Sequence, residues 1–252
     1  MSSSLIRATA LVAFALISAS ANAQQRPVND TGVIACTNEA WAQVTCESVN
    51  ATLPGQDAAF GRDALAVAGG LNKVGSGRRG FDLTKIGMDG SVVPANAPWG
   101  NSVGQFRCVR DNTTGLVWEN YREARFWRDA NPATNGGFVG AENISNATHE
   151  YSELANTTAR CNRTTWRLPT ARELLSIASF ETSSGLGWGD FGFLNQLTNT
   201  PISFWTSQSN PAYPEHALLV MFNRGDFPAV TRKVEGHTNK TVAEWTVLVS
   251  SQ

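Results

Sequence analysis

The stretch "CVRDNTTGLVWE", residues 108–119, carries a turn-forming cluster between two runs of strand character. "QFRCVR" (105–110) alternates sides, "DNTTG" (111–115) supplies Asp, Asn and Gly as turn residues, and "LVWE" (116–119) runs back. The pattern predicts a β-hairpin with Arg110 at the strand end and Asp111 at the start of the turn. Turn chemistry accounts for every residue in it, so Arg110 and Asp111 are assigned to scaffold and not to a charged working site.

Outward from the hairpin, "HEYSELANTTARC" (149–161) places Tyr151, Leu154, Ala155 and Thr158 at i, i+3, i+4 and i+7, one helix face. In "WRLPTARELLSI" (166–177) Pro169 stops what precedes it, Thr170 is an N-cap, and Glu173 completes a capping box ahead of Leu174, Leu175 and Ile177. A helix starts there. The last third is strand-like: "ISFWTSQ", "HALLVMF", "FPAVTRKV" and "AEWTVLVS" are separated by "NPAYPE", "NRGD" and "GHTNK", the pattern of local antiparallel hairpins. Upstream, residues 36–99 are rich in Gly, Ala, Asn and Pro. Their one periodic segment is near 57–71, where Ala58, Ala64, Leu65 and Ala68 would line a helix face. The fold class is α+β: a mixed antiparallel sheet with two main helices against it, loop-rich and disulfide-linked, without the βαβ alternation of a doubly wound sheet.

Residues 1–23 read as a secretory signal peptide, with Arg7, an apolar run and small residues ending at Ala23. That run is too short for a bilayer span. Residues 24–35 read as a polar leader, mobile at its tip, and 36–250 as a single domain with a loop-rich N-terminal part (36–105) and a core (106–250). The expected location is exported: periplasmic, cell-surface or extracellular. In such a compartment the four cysteines, Cys36, Cys46, Cys108 and Cys161, imply two disulfides rather than metal or redox chemistry. Of three open connectivities, the favoured one joins Cys36 to Cys46 locally and Cys108 to Cys161 at long range.

The formal net charge of −1 becomes one unit more negative once Arg7 leaves with the signal, which gives no general attraction to nucleic acid or anionic membranes. Arginine outnumbers lysine 16 to 4, and its planar fork suits sulfate, phosphate and carboxylate groups. Several motifs lack their context. "GSGRRG" (75–80) has no strand before it and no long helix after it, so it reads as a flexible turn rather than a dinucleotide site. "GNSVG" (100–104) lacks the strand and helix of a nucleophile elbow. "RGD" (224–226) reads as a hairpin turn. His149 and Glu153 could share a helix face, but no third metal ligand is in sight, and His216 and His237 are placed in loops. No catalytic residue, metal or cofactor is assigned. Among the tryptophans, Trp118, Trp166, Trp205 and Trp245 lie in or beside apolar runs and are assigned to the core. Trp127 and Trp188 lie in Gly- and Asp-rich loops. Trp127 is flanked by Arg125 and Arg128, with Arg122 one turn earlier if the segment coils, so Arg122, Arg125, Trp127, Arg128 and Trp188 are the candidate ligand-binding residues.

"CVRDNTTGLVWE", "WRLPTARELLSI" and "FWTSQS" (204–209), in that order, resemble the Lcl C-terminal domain family, named for the terminal domain of a bacterial collagen-like adhesin. "LPGQDAAFGRD" and "GFDLTKI" look like its longer exported members. The resemblance implies a C-type-lectin-like or sulfatase-modifying-factor-like α+β domain; in the adhesin it resembles, that domain binds sulfated glycosaminoglycans. This chain has no collagen repeats, and its tail "WTVLVSSQ" lacks the arginines usual in the family's closing strand. The expectation is a non-catalytic exported lectin-like module for a surface or extracellular polysaccharide or glycosaminoglycan-like ligand, without nucleic acid or membrane insertion. The alternatives are a structural subunit of an envelope or pilus assembly, and an enzyme on the modifying-factor-like fold.

Overall fold

A computed structural model of the chain describes residues 29–49, 51–127, 147–179, 202–222, 229–231 and 243–251. Residues 1–28, and with them the signal peptide and the leader's tip, lie outside the described residues. In chain order the elements are β1 (Cys36–Thr37), β2 (Gln43–Val44), α1 (Cys46–Val49), α2 (Gly61–Val67), β3 (Leu83–Ile86), β4 (Cys108–Asp111), β5 (Val117–Glu119) and β6 (Glu123–Phe126). They continue with α3 (Thr148–Thr157), β7 (Trp166–Arg167), α4 (Ala171–Ser176), β8 (Ile202–Asn210), β9 (Tyr213–Phe222), β10 (Ala229–Thr231), β11 (Ala243–Thr246) and β12 (Val249–Ser250).

The hairpin forms as its sequence dictates. β4 and β5 pair antiparallel, with Cys108 opposite Glu119 and Val109 opposite Trp118. Asp111 holds the turn: one carboxylate oxygen accepts from the Thr113 amide at 2.9 Å and the other from the Thr114 hydroxyl at 2.7 Å. Gly115, at φ +73, closes the turn by donating to the Asp111 carbonyl at 2.8 Å, a conformation in which any side chain would be strained. Asn29 then donates to Asp111 at 2.6 Å, and the Gly32 amide donates to Asp63 at 2.6 Å. The described part of the leader is therefore pinned to the body of the molecule.

The hairpin is the centre of a five-stranded sheet in the order β3-β4-β5-β12-β7, and a second sheet runs β10-β9-β8-β11-β6. β1 and β2 form a separate two-stranded sheet, and the segment read as one strand, "AEWTVLVS", divides between the two five-stranded ones. β11 pairs with β6 and, in parallel, with β8, so not every neighbour is antiparallel. Val247 and Leu248 follow, both without solvent exposure, and β12 then joins β5 and β7 in the other sheet. β3 comes from the N-terminal part of the chain and pairs with β4 along its whole length.

Between the sheets lies the main core. Phe81, Leu83, Val109, Leu116 and Trp118 of the first sheet and its approaches pack with Ile202, Phe204, Val220 and Phe222 of the second, and with Leu174 and Ile177 of α4. α4 begins as predicted: the Thr170 side chain accepts from the Glu173 amide while Glu173 accepts from the Thr170 amide at 2.8 Å. On α3 the buried face is Thr148, Tyr151 and Ala155; Leu154 and Thr158, expected on it, are exposed, because the helix packs through Tyr151 and Ala155 against Val117, Trp166 and Leu248. The helix expected near 57–71 is a 3-10 turn (Asp57–Ala59) followed by α2, and of its predicted face Leu65 and Ala68 are exposed. His216, placed in a loop by sequence, lies within β9.

Both disulfides have the favoured pairing, Cys36–Cys46 and Cys108–Cys161. The second ties β4 to a short 3-10 turn (Arg160–Asn162) behind α3, where Ala159, Cys161 and Asn162 take left-handed backbone angles (φ 46, 52 and 55). Gly90 approaches this turn so closely that a Cβ there would lie 2.4 Å from the Asn162 side chain. Among the described residues no helix is long and apolar enough to cross a membrane.

Candidate binding site

Glu119, the last residue of β5, has no solvent exposure. A carboxylate buried this deeply needs partners, and it has three. Arg107 donates to its Oε1 at 2.7 Å, Arg160 donates to the same oxygen, and the Tyr151 hydroxyl donates to Oε2 at 2.8 Å. Burial, with the Glu119 charge behind it, pushes the Tyr151 phenol well above its ordinary range, so it remains a donor. Burial works against the Arg160 guanidinium, but Glu119 and the Tyr151 oxygen outweigh it and hold the charge more firmly than in water.

From this charge cluster an aromatic stack leads outward. The Arg107 guanidinium lies 4.5 Å from the Tyr121 ring centroid and 5.6 Å from that of Trp99. The two rings are nearly parallel, 12° apart in plane with centroids 6.3 Å apart. Trp99 Nε1 donates to the Asn120 carbonyl at 2.8 Å, fixing the indole's polar edge while 48% of the residue remains in solvent. The loop beyond is closed by hydrogen bonds of Gly100 to Phe106 and of Phe106 to Pro98. Trp99 is thus a half-exposed ring on a fixed support.

The five residues singled out from sequence fare differently. The segment 122–127 does not coil; most of it is β6, so Arg122 and Arg125 do not share a helix face. Arg125 joins the cluster: its guanidinium lies 4.3 Å from the Tyr151 ring centroid and donates to Glu123 at 2.7 Å. Arg122 lies 4.5 Å from the Trp245 ring, and burial lowers its pKa. Trp127 is corrected from exposed to buried, at 5% exposure; its Nε1 donates to the Thr206 carbonyl at 2.7 Å and its ring packs on Trp205, Ala217 and Leu219. Pairing of β6 with β11 draws it in, which local composition does not announce. Arg128 and Trp188 lie outside the described residues, as do His237 and the RGD at 224–226. Trp99 is not among the five: its setting, "NAPWGN", has the Pro, Gly and Asn of a loop but neither the Asp nor the flanking arginines that single out Trp127. Trp118, Trp166 and Trp205 are core residues as expected, and Trp245 packs partly buried against the main core.

The remaining polar motifs are structural. Arg110 donates to Asn112 at 3.0 Å, and burial raises the Asp111 carboxyl against the pull of its Thr114, Thr113 and Asn29 donors. The "GSGRRG" segment is a turn held at both ends by carboxylates. Asp82 accepts from the Val74 and Gly75 amides, and Asp63 from the Gly80 amide. Burial acts to raise Asp82, but those two amides and the Asn112 side chain together hold it below the usual carboxylate range. "GNSVG" is an exposed loop with a bend and a turn, not an elbow. On α3, His149 Nε2 and Glu153 Oε1 lie 3.0 Å apart as a surface pair, and among the described residues no group of three His, Cys, Asp or Glu is placed to hold a metal ion.

Two five-stranded sheets, a disulfide from β4 to the turn behind α3, and a buried Glu–Arg–Tyr cluster beside the Trp99–Tyr121 stack define an α+β, disulfide-linked domain. The model of the Lcl C-terminal domain family matches residues 107–243, and the chain belongs to that family. The match takes in Arg107, Glu119, Tyr121, Tyr151 and Arg160; Trp99 lies upstream of it. Comparison with curated proteins and with solved structures finds no match.

Proposed function

We propose that this chain is an exported, non-catalytic glycan-binding module in which Trp99, supported by Tyr121 and Arg107, is the contact residue. One observation carries the reading: a half-exposed indole whose edge is tied to Asn120 and whose ring stacks on Tyr121. A flat apolar ring with a fixed polar edge suits the apolar face of a pyranose, and its rigidity means that little freedom is lost on binding. A nucleobase would stack as well, but its phosphates call for nearby free cations. Family membership and two disulfides support an extracytoplasmic adhesin-type role. Residues 36–250 act as one unit in this reading, since β3 completes the core sheet and Asn29 anchors on Asp111. The charged groups near the platform are engaged in holding structure rather than poised to react, which favours binding over catalysis.

The test is a screen of the folded protein against immobilised polysaccharides, with soluble polysaccharide as competitor. Saturable, competable binding is expected; no binding to any glycan contradicts the reading.

A further inference from the structure

We infer that the glycan bound at Trp99 is uncharged, an inference that rests on the reading of Trp99 as the contact residue. The segment that carries the ring, "SVVPANAPWGNSVGQF" (residues 91–106), contains no Asp, Glu, Lys, Arg or His. Its exposed polar side chains around Trp99 are amides and hydroxyls, such as Asn101 and Ser102. Recognition of a sulfate or carboxylate would call for a guanidinium or ammonium aimed at the ligand. Among the described residues, two cations that contact the loop are committed inward. Lys85 Nζ donates to the Ala97 carbonyl at 2.8 Å and lies 4.2 Å from the Phe106 ring centroid. Arg107 is buried, bound to Glu119 at 2.7 Å, and its charge lies close to the Trp99 and Tyr121 rings.

That placement argues against charged ligands of either sign. An anion would have to draw Arg107 away from a carboxylate it already holds in a low-dielectric setting, losing a charge-assisted hydrogen bond to gain one. A cation would meet rings whose quadrupoles already face a guanidinium. What the site offers is a ring face with amide and hydroxyl groups around it, the complement of a neutral pyranose with equatorial hydroxyls. Because the segment that carries the ring is uncharged and Arg107 is held by Glu119, affinity should depend little on ionic strength, whereas an arginine-based anionic-glycan site would weaken steeply as salt rises.

The experiment measures binding of the intact folded protein to two sets of probes: neutral polysaccharides (glucans, mannans, galactans) and anionic ones (heparin, a uronate polymer). Each is titrated from about 0.05 to about 0.5 M NaCl, the range over which screening removes exposed charge attraction. The expected result is saturable binding to a neutral polymer, changing less than about twofold across that range. Trp99→Ala should weaken it by about tenfold or more, the loss typical of a central Trp contact. Trp99→Phe, which keeps a ring, should retain part of the binding, and circular dichroism of each variant should match the wild type. Binding confined to anionic polymers, with affinity falling steeply in salt, overturns the inference while leaving a glycan-binding role intact. Binding to neither set overturns the inference and the reading beneath it together.

Discussion

Arg107 and Arg160 bind the same oxygen of Glu119, and each immediately precedes a cysteine of the Cys108–Cys161 bond. The disulfide and the ion cluster are therefore one brace, joining β4, β5 and the turn behind α3. Replacing Glu119 with Gln leaves two guanidinium groups buried without a counter-charge, which should cost about 3–5 kcal/mol in urea unfolding. A cost below about 1 kcal/mol, the range of an exposed pair, would contradict the cluster's role.

The two disulfides should contribute unequally. Cys108–Cys161 spans 53 residues and Cys36–Cys46 spans 10. Loop entropy alone predicts losses of about 4 and about 3 kcal/mol for the respective double Cys→Ser variants. Removing the longer bond should lose more than this, because the turn at Arg160–Asn162 is released and Arg160 withdraws from the buried Glu119. Thermal unfolding of the two double variants, compared with the wild type, measures the difference.

At α4 the capping box gives a mutational and a pH prediction. Thr170→Ala should cost about 1 kcal/mol through loss of the cap. Glu173 accepts from Arg167 through both carboxylate oxygens, at 2.8 and 2.6 Å. Burial acts to raise its pKa, but Arg167 and the Thr170 amide overcome it and hold it below the ordinary value. A depressed folded-state pKa contributes stability above the unfolded-state value that is lost as pH falls through the folded one. The stability gap between wild type and Glu173→Gln, read by urea unfolding, should therefore be larger at neutral pH than under acid conditions below the folded-state pKa.

Trp127 and Trp99 should separate stability from binding. Trp127→Ala empties a buried site and breaks the bond to Thr206, so it should cost about 3–5 kcal/mol in unfolding free energy. Calorimetric unfolding of the variant checks this; a change under about 1 kcal/mol would contradict the burial of Trp127.

What could be read from the chain was local. The hairpin at 108–119, the capped helix at 171 and the favoured cysteine pairing each depend on neighbouring residues or on simple loop lengths, and each is found. The division of "AEWTVLVS" between two sheets is not local: it depends on whether Trp245 meets Ala124 and Phe204, and whether Val249 meets Trp118, more than a hundred residues away in two of the three pairings. The Glu119 cluster is invisible for the same reason, since Arg160 lies 41 residues from its partner. The burial of Trp127 and the exposure of Trp99 were equally illegible, since both rings sit in loop-like composition. Sheet pairing buried one, and a hydrogen bond to Asn120 holds the other at the surface.

The most direct measurement pairs affinity with stability for one variant, Trp99→Ala, using the polysaccharide that the wild type binds. If the scaffold only holds out the ring, affinity should fall by about tenfold or more. The unfolding free energy should meanwhile stay within about 0.5 kcal/mol of the wild type, as for a surface substitution. Unchanged affinity, or a loss that tracks unfolding, would contradict the account.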